Sequence, residues 1–129
     1  TALAPDEILT EIRLPTTAAG TGCAIEEFAR RHGDFALAAV TAIVTREAGG
    51  GYRVRLATGG VGPVPQRLPE AETILERRGV AAEAVAAAAA AAAEAVEPLS
   101  DQHASADFRR HLTAVLTRRA VVAAARAAA

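Results

Sequence analysis

The sequence predicts an α+β domain in which an antiparallel sheet of three or four strands packs against three helices. Up to Pro65, short segments with alternating or β-branched residues are separated by glycine and proline, and three helix-like segments follow. Strands that precede helices in this way are typical of α+β folds, with the helices on one side of the sheet. We therefore place the sheet at about residues 7–65 and the helices at about 69–129. A length of 129 residues suits a single domain, 1–129, with one core.

Four segments in the first half are predicted strands: 7–14, 23–31, 37–45 and 52–57. The first has Ile8, Ile12 and Leu14 at even spacing and is closed by Pro15. The three glycines within residues 47–51 predict a hairpin loop between the last two strands, because glycine adopts positive φ without strain. Gly33 and Asp34 predict a turn after the second strand.

Three helices are predicted at residues 69–79, 80–96 and 105–129. Pro69 suits a first helical position, and Gly79 suits the position after the last turn. The second helix is almost pure alanine, so we expect close packing and full burial of at least one of Ala86, Ala89, Ala90 and Ala93.

The third helix is predicted to bury one apolar stripe and to begin at a capping side chain, either Asp101 or Ser105. The stripe consists of Phe108, Leu112, Val115, Leu116 and Val122. The helix also carries Arg109, Arg110, Arg118, Arg119 and Arg126 against Asp107 alone. We expect these arginines to point mostly away from the core, as a solvated face or as a docking face for another domain.

Composition excludes several classes of function. With 14 basic and 15 acidic residues and a net charge of −1, the chain lacks the basic surplus of a nucleic-acid binder. One cysteine excludes an internal disulfide framework and a cysteine-based metal cluster. No apolar segment is long enough to span a membrane. No signal peptide is visible, and Thr1 stands where methionine would be expected, which favours a piece of a longer cytoplasmic chain.

The residues that often carry chemistry form no self-contained active site here. His32, His103 and His111 lack metal-ligand spacing, and we expect His111 to be packed beside the buried stripe. We predict Cys23 to be a buried structural thiol. The glycines of residues 59–62 predict a structural turn rather than a phosphate loop, because prolines follow them instead of a helix.

Two adjacent arginines leave two interpretations open. Arg30 and Arg31 precede Gly33 and Asp34, so they could bind an anion. They could equally form an arginine–carboxylate pair that fixes the turn.

Taken in order, several segments resemble one known family. They are residues 4–15, 27–36, 58–67, 101–112 and 118–120. Together they resemble the C-terminal domain of the FAD-binding medium subunit of carbon monoxide dehydrogenase and of xanthine dehydrogenase-like molybdenum hydroxylases. The resemblance covers essentially the whole chain and implies the same α+β architecture.

The resemblance also implies a role in an oxidoreductase. In such a subunit FAD is bound mainly by two domains N-terminal to this one, which closes over one side of the flavin. The molybdenum cofactor and the iron–sulfur clusters lie in partner subunits. The isolated chain is therefore not expected to be catalytic. The alternative is a structural or interaction module that does not contact the flavin.

The site residues implied by the resemblance are few. Leu9 matches a family position beside FAD. A lysine near the Arg30–Arg31 pair approaches the cofactor in relatives, whereas Glu26 and Glu27 occupy that neighbourhood here. A carboxylate cannot donate a hydrogen bond to a flavin oxygen or phosphate unless it is protonated.

Overall fold

The computed structural model describes residues 3–129 and confirms the α+β class. Four strands precede three helices: β1 (Thr21–Phe28), β2 (Ala38–Arg46), β3 (Tyr52–Gly59), β4 (Gln66–Arg67), α1 (Pro69–Arg78), α2 (Ala82–Glu94) and α3 (Ala106–Ala127). The strands lie in the order β1-β2-β3-β4, and each neighbouring pair is antiparallel. β1 is consequently an edge of the sheet.

The predicted hairpin loop joins β2 to β3. Arg46 pairs with Tyr52 across the last register position. The Glu47 N–H donates to the Gly51 carbonyl and the Gly50 N–H donates to the Glu47 carbonyl, both at 2.9 Å. Gly50 has a φ of 85°, which only glycine adopts without strain.

All three helices cover one face of the sheet, which leaves the opposite face open. Val40, Ala42 and Val44 of β2 point into the core, as do Val54 and Leu56 of β3. The residues between them face away, because successive side chains of a strand point to opposite sides. α3 packs on β1 and β2, α1 packs on β3, and α2 packs on both other helices.

The small side chains of this core are densely packed because the backbones of neighbouring elements lie close together. Ala84, Ala88, Ala89 and Ala92 of α2 are buried, and Ala89 confirms the burial predicted for this helix. At the edge of the sheet, a Cβ atom on Gly22 would overlap the carbonyl oxygen of Ala124 in α3. The chain therefore fits together through backbone contacts that larger residues would prevent.

The strand predicted at residues 7–14 is wrong. Residues 3–20 contain no strand, and Ile8 and Leu14 are 85% and 84% exposed. An alternating pattern forms a strand only when a neighbouring strand supplies hydrogen bonds, and none pairs with this segment. Pro15 accordingly terminates no strand, and β1 begins at Thr21 rather than at Cys23.

The buried stripe of α3 also differs from the prediction. Leu112 and Leu116 are buried, but Phe108 and Val122 are each about two-fifths exposed. Arg109, predicted to point away from the core, is only 7% exposed. The face that meets the sheet continues through small residues, namely Thr113, Thr117, Ala120, Val121 and Ala124. A prediction based only on the large apolar residues of α3 therefore assigns the wrong face of the helix to the core.

Within residues 3–129, no helix combines the length and hydropathy that crossing a bilayer requires.

Candidate functional site

Three loops meet at one end of the sheet beside the start of α3. We call this region the loop end, made up of residues 29–37, 60–65 and 95–105. The Arg109 side chain joins the three loops, because its Nη1 donates to the carbonyls of Leu37 at 2.7 Å and Gly60 at 2.8 Å. Its Nη2 donates to Asp101 Oδ2 at 2.8 Å. One buried guanidinium therefore holds the loop end together.

Asp101 organises the loop that leads into α3. Its Oδ1 accepts hydrogen bonds from the backbone N–H groups of His103 at 2.8 Å and Ala104 at 2.9 Å. These two bonds, with a smaller contribution from the charge of Arg109, hold the pKa of the Asp101 carboxyl below its ordinary value. Ser105 caps α3, since its Oγ accepts from the Phe108 N–H at 3.2 Å. Of the two predicted caps, Ser105 is confirmed.

A cavity of about 370 Å³ opens between these loops. Arg30 and Arg109 line it together with Asp34 and Asp101, so its positive and negative charges balance. Arg30 Nη1 is hydrogen-bonded to Nδ1 of His103, which ties the first loop to the third.

Three exposed aromatic side chains belong to the segments that meet at this end of the domain, and one of them, Phe35, lines the cavity. Phe35 is 97% exposed, and Phe28 and Phe108 are each about two-fifths exposed. The rings of Phe28 and Phe108 meet edge to face with centroids 5.9 Å apart. Phenylalanine is normally a core residue, so three exposed rings at one end of the domain are unusual for a protein surface.

The turn after β1 is stabilised by its backbone rather than by an ion pair. The Asp34 N–H donates to the Arg31 carbonyl at 3.1 Å, and Gly33 has a φ of 85°. Among the described residues Asp34 forms no ion pair with Arg30 or Arg31. Of the two interpretations left open by the sequence, the arginine–carboxylate pair is therefore not found here, and anion binding by Arg30 and Arg31 stays a prediction.

A second concave surface lies between α3 and the free edge of β1. We call it the α3–β1 groove; it encloses about 400 Å³ and is lined by Glu26, Arg118, Arg119, Val122, Ala123 and Arg126. Arg119 Nε lies 3.0 Å from Glu26 Oε2. Positive charge therefore dominates this groove, whereas it is balanced at the loop end.

The structure separates the residues that the family resemblance implies. Leu9 lies in the extended segment before β1 and is more than half exposed. Glu26 points toward α3 and is neutralised by Arg119, while Glu27 faces the open side of the sheet. A role for Leu9 beside FAD stays a prediction.

Two further predictions about single side chains are wrong. Cys23 is exposed, because odd-numbered residues of β1 face away from the helices. His111 is exposed as well, one position off the buried face of α3. No cluster of three or more histidine, cysteine or carboxylate side chains suited to a metal occurs in the described residues.

The glycine segment at 59–62 forms a structural turn, as predicted. Gly60 has a φ of 76°, and a Cβ atom there would lie 2.6 Å from the Ala36 carbonyl oxygen. Its own carbonyl accepts from Arg109. The segment therefore packs one loop on another and offers no cradle at a helix N-terminus.

Sequence reasoning missed the central role of Arg109. The only available signal was spacing, since Arg109 precedes Leu112 by three residues and Leu116 by seven on the same helix.

Comparison with known proteins identifies the family. Residues 23–124 match the family described as the CO dehydrogenase flavoprotein C-terminal domain. The nicotine 6-hydroxylase medium subunit of Paenarthrobacter nicotinovorans is 39% identical over 96% of this chain and 43% of its own length. The carbon monoxide dehydrogenase medium chain of Hydrogenophaga pseudoflava is 34% identical over 96% of this chain and 43% of its own length.

Solved structures agree with this assignment. A chain of carbon monoxide dehydrogenase from Hydrogenophaga pseudoflava superposes with a TM-score of 0.91 and 37% identity, covering 100% of this chain and 45% of that one. A chain of quinoline 2-oxidoreductase from Pseudomonas putida 86 gives a TM-score of 0.77 and 32% identity, over 84% of this chain and 38% of that one. The chain spans less than half the length of these relatives. It belongs to the family of CO dehydrogenase flavoprotein C-terminal domains.

Proposed function

We propose that this chain is the C-terminal domain of the FAD-binding medium subunit of a molybdenum hydroxylase. It closes one side of the flavin site and docks the other parts of the enzyme. One observation carries the proposal: almost the whole chain matches medium subunits such as that of nicotine 6-hydroxylase, over less than half of their length. In this proposal the chain corresponds to one domain of a longer subunit.

In this proposal the cofactor supplies the redox chemistry, and this chain supplies orientation and shielding. FAD is bound mainly by the preceding domains of the subunit, and the molybdenum cofactor and iron–sulfur clusters lie in partner subunits. The described residues contain no glycine-rich loop that opens a helix, so in this proposal the chain contributes a side wall and the preceding domains hold the phosphates of FAD.

The docking role is supported by the loop end. Phe35 is almost fully exposed, and Phe28 and Phe108, which meet edge to face, are each about two-fifths exposed. Arg109 holds the supporting loops in one arrangement. A preorganised apolar surface of this kind favours binding because little conformational freedom remains to be lost.

The experiment replaces the matching part of the Hydrogenophaga pseudoflava medium chain with this chain. We expect the chimeric subunit to contain about as much FAD per polypeptide as the natural subunit, measured by flavin absorbance after gel filtration. A subunit truncated before the replaced part keeps the domains that mainly bind FAD, and we expect it to contain measurably less FAD than the chimera because one side of the flavin is left open. If the chimera and the truncated subunit hold the same amount of FAD, the domain is an interaction module that does not contact the flavin.

The docking role is tested separately in the same chimera by Phe35→Ser. Because the Phe35 side chain makes no contribution to the core, the variant should fold and retain FAD but co-purify with less of the partner subunits. Leu14→Ser, at an exposed apolar position in the segment before β1 and outside the loop end, is the matched control. Unchanged co-purification of the Phe35 variant would contradict docking through the aromatic surface.

A further inference from the structure

One side-chain contact at the loop end requires a neutral histidine. Arg30 Nη1 is hydrogen-bonded to Nδ1 of His103, and Arg30 forms no ion pair among the described residues. A guanidinium group has donors but no acceptor, so Nδ1 must accept this hydrogen bond. A histidine ring accepts at Nδ1 only when it is neutral and carries its proton on Nε2. The contact therefore exists only while His103 is unprotonated.

This contact joins two loops that are otherwise far apart in sequence. Among the described hydrogen bonds, it is the one that connects residues 29–36 to another part of the chain. The bonds at the end of this loop are made by Leu37, whose N–H donates to the Phe28 carbonyl at 2.8 Å and whose carbonyl accepts from Arg109. Phe35, which is 97% exposed, lies between these points. The position of the loop that carries Phe35 thus depends on Arg30 and His103.

The other charged groups around this cavity do not replace the contact when His103 is protonated. Asp101 already accepts two backbone N–H groups at Oδ1 and Arg109 at Oδ2, so both of its oxygens are engaged. Its pKa lies below the ordinary value, so it is ionised throughout the range in which histidines titrate. Asp34 belongs to the same loop as Arg30 and cannot connect that loop to His103.

Protonation turns the contact from attractive to repulsive. Both partners then carry a positive charge and a donor, and neither offers an acceptor to the other. Arg109, which also lines the cavity, adds a third positive charge on the side of α3. The carboxylate of Asp101 attracts the protonated ring, but the two residues belong to the same loop. This attraction therefore leaves residues 29–36 without a hydrogen bond to the rest of the chain.

We propose that His103 and Arg30 form a pH-sensitive switch, in which neutral His103 holds the loop of residues 29–36 in place and protonated His103 releases it. The contact is present at the higher pH and is lost as the pH falls through the titration of the ring. Histidine is the side chain that ordinarily changes its charge between about pH 5 and 8. The consequence for docking rests on the proposed function: the surface that contains Phe35 is preorganised only while His103 is neutral.

The first experiment follows the 129-residue chain by NMR between about pH 5.5 and pH 8. Long-range proton–nitrogen spectra should show that the neutral ring of His103 carries its proton on Nε2. The Asp34 N–H, which donates within the loop, reports on its opening by hydrogen exchange. Its protection factor, which corrects for the intrinsic effect of pH, should be about three- to tenfold lower when His103 is protonated, as expected for one exposed hydrogen bond. A proton on Nδ1 or an unchanged protection factor would overturn the proposal.

Three variants separate this switch from other effects of pH. His103→Asn keeps an acceptor near the position of Nδ1 but does not titrate, so the loop should stay protected at both pH values. His32→Asn removes an exposed histidine of the same loop and should leave the pH dependence intact. Arg30→Met removes the donor, and its loop should be as weakly protected at about pH 8 as that of the unmodified chain at about pH 5.5. The same pH dependence in His103→Asn or Arg30→Met as in the unmodified chain would refute the switch.

The chimeric subunit tests the consequence for docking. The unmodified chimera should co-purify with less of the partner subunits at about pH 6 than at about pH 8, whereas the chimera with His103→Asn should retain them at both. Equal losses in the two chimeras would show that His103 does not control docking. If the loop is released in the isolated chain but neither chimera depends on pH, the switch stands and docking through the Phe35 loop fails. If the loop of the isolated chain is insensitive to pH, the switch fails while the proposed function stands.

Discussion

Replacing Arg109 by methionine tests whether one buried guanidinium holds the loop end. Methionine keeps an unbranched side chain of similar length, so much of the packing of the stem is retained. The substitution removes three hydrogen bonds of 2.7–2.8 Å, two to carbonyl oxygens and one to Asp101. It also leaves those acceptors without their donor.

The expected cost follows from the exposure of each acceptor. A buried acceptor that loses its donor costs about 1–3 kcal/mol, and this applies most directly to the carbonyl of Leu37, which lies in the core. The Asp101 side chain is about half exposed and regains water, so its contribution is smaller than for a fully buried pair. We expect Arg109→Met to lower the free energy of unfolding by about 2–4 kcal/mol.

Urea denaturation followed by circular dichroism measures this difference directly. Arg110→Met is the matched control, because the neighbouring Arg110 pairs only with the exposed Asp107 and such pairs contribute about 0–1 kcal/mol. Near-equal midpoints for Arg109→Met and the unmodified chain would refute the reasoning. Equal losses in both variants would show a general effect of charge on α3 instead.

Three further predictions concern packing and pH. Ala89→Leu should cost about 1–3 kcal/mol by overfilling the core, whereas Ala86→Leu on the exposed side of the same helix should be near neutral in denaturant melts. Gly22→Ala should lower the free energy of unfolding by at least about 2 kcal/mol or prevent folding, because the added Cβ atom would meet the backbone of α3. Gly49→Ala is the control, because a Cβ atom there meets open space. Equal melting temperatures for the two variants would contradict this prediction. Since the folded pKa of Asp101 is depressed, its stabilisation is present above the ordinary carboxyl pKa and is lost as pH falls through the folded value. Asp101→Asn should therefore reduce the loss of stability between about pH 5 and pH 2 in thermal melts, and an unchanged acid profile would contradict it.

The sequence predicted an element well where its boundaries depend on a few adjacent residues, such as prolines and glycines. The helix from Pro69 to Arg78 follows from a proline suited to its first turn and a glycine after its last. Hairpin glycines located the β2–β3 connection, and ordered segment matches indicated the family that comparison then showed.

The candidate site was predicted less completely. Ser105 and the structural turn near Gly60 were identified, because caps and turns depend on a few adjacent residues. The contact between Arg119 and Glu26 joins positions distant in sequence, so no spacing rule could find it. Neither could spacing show that Arg30 meets His103 rather than Asp34.

The sequence by itself therefore determined the fold class, the helices and the hairpin, because helix propensity, capping and glycine conformations act over a few residues. Which faces of the strands and helices are covered by other elements was decided only by the tertiary structure. Residues 7–14 alternate like a strand but have no neighbour, and Cys23 lies on the side of the sheet that no helix reaches. Arg109 is buried for the same kind of reason: burial depends on what packs opposite a residue, and its partners Leu37 and Gly60 are brought there by the fold of distant loops.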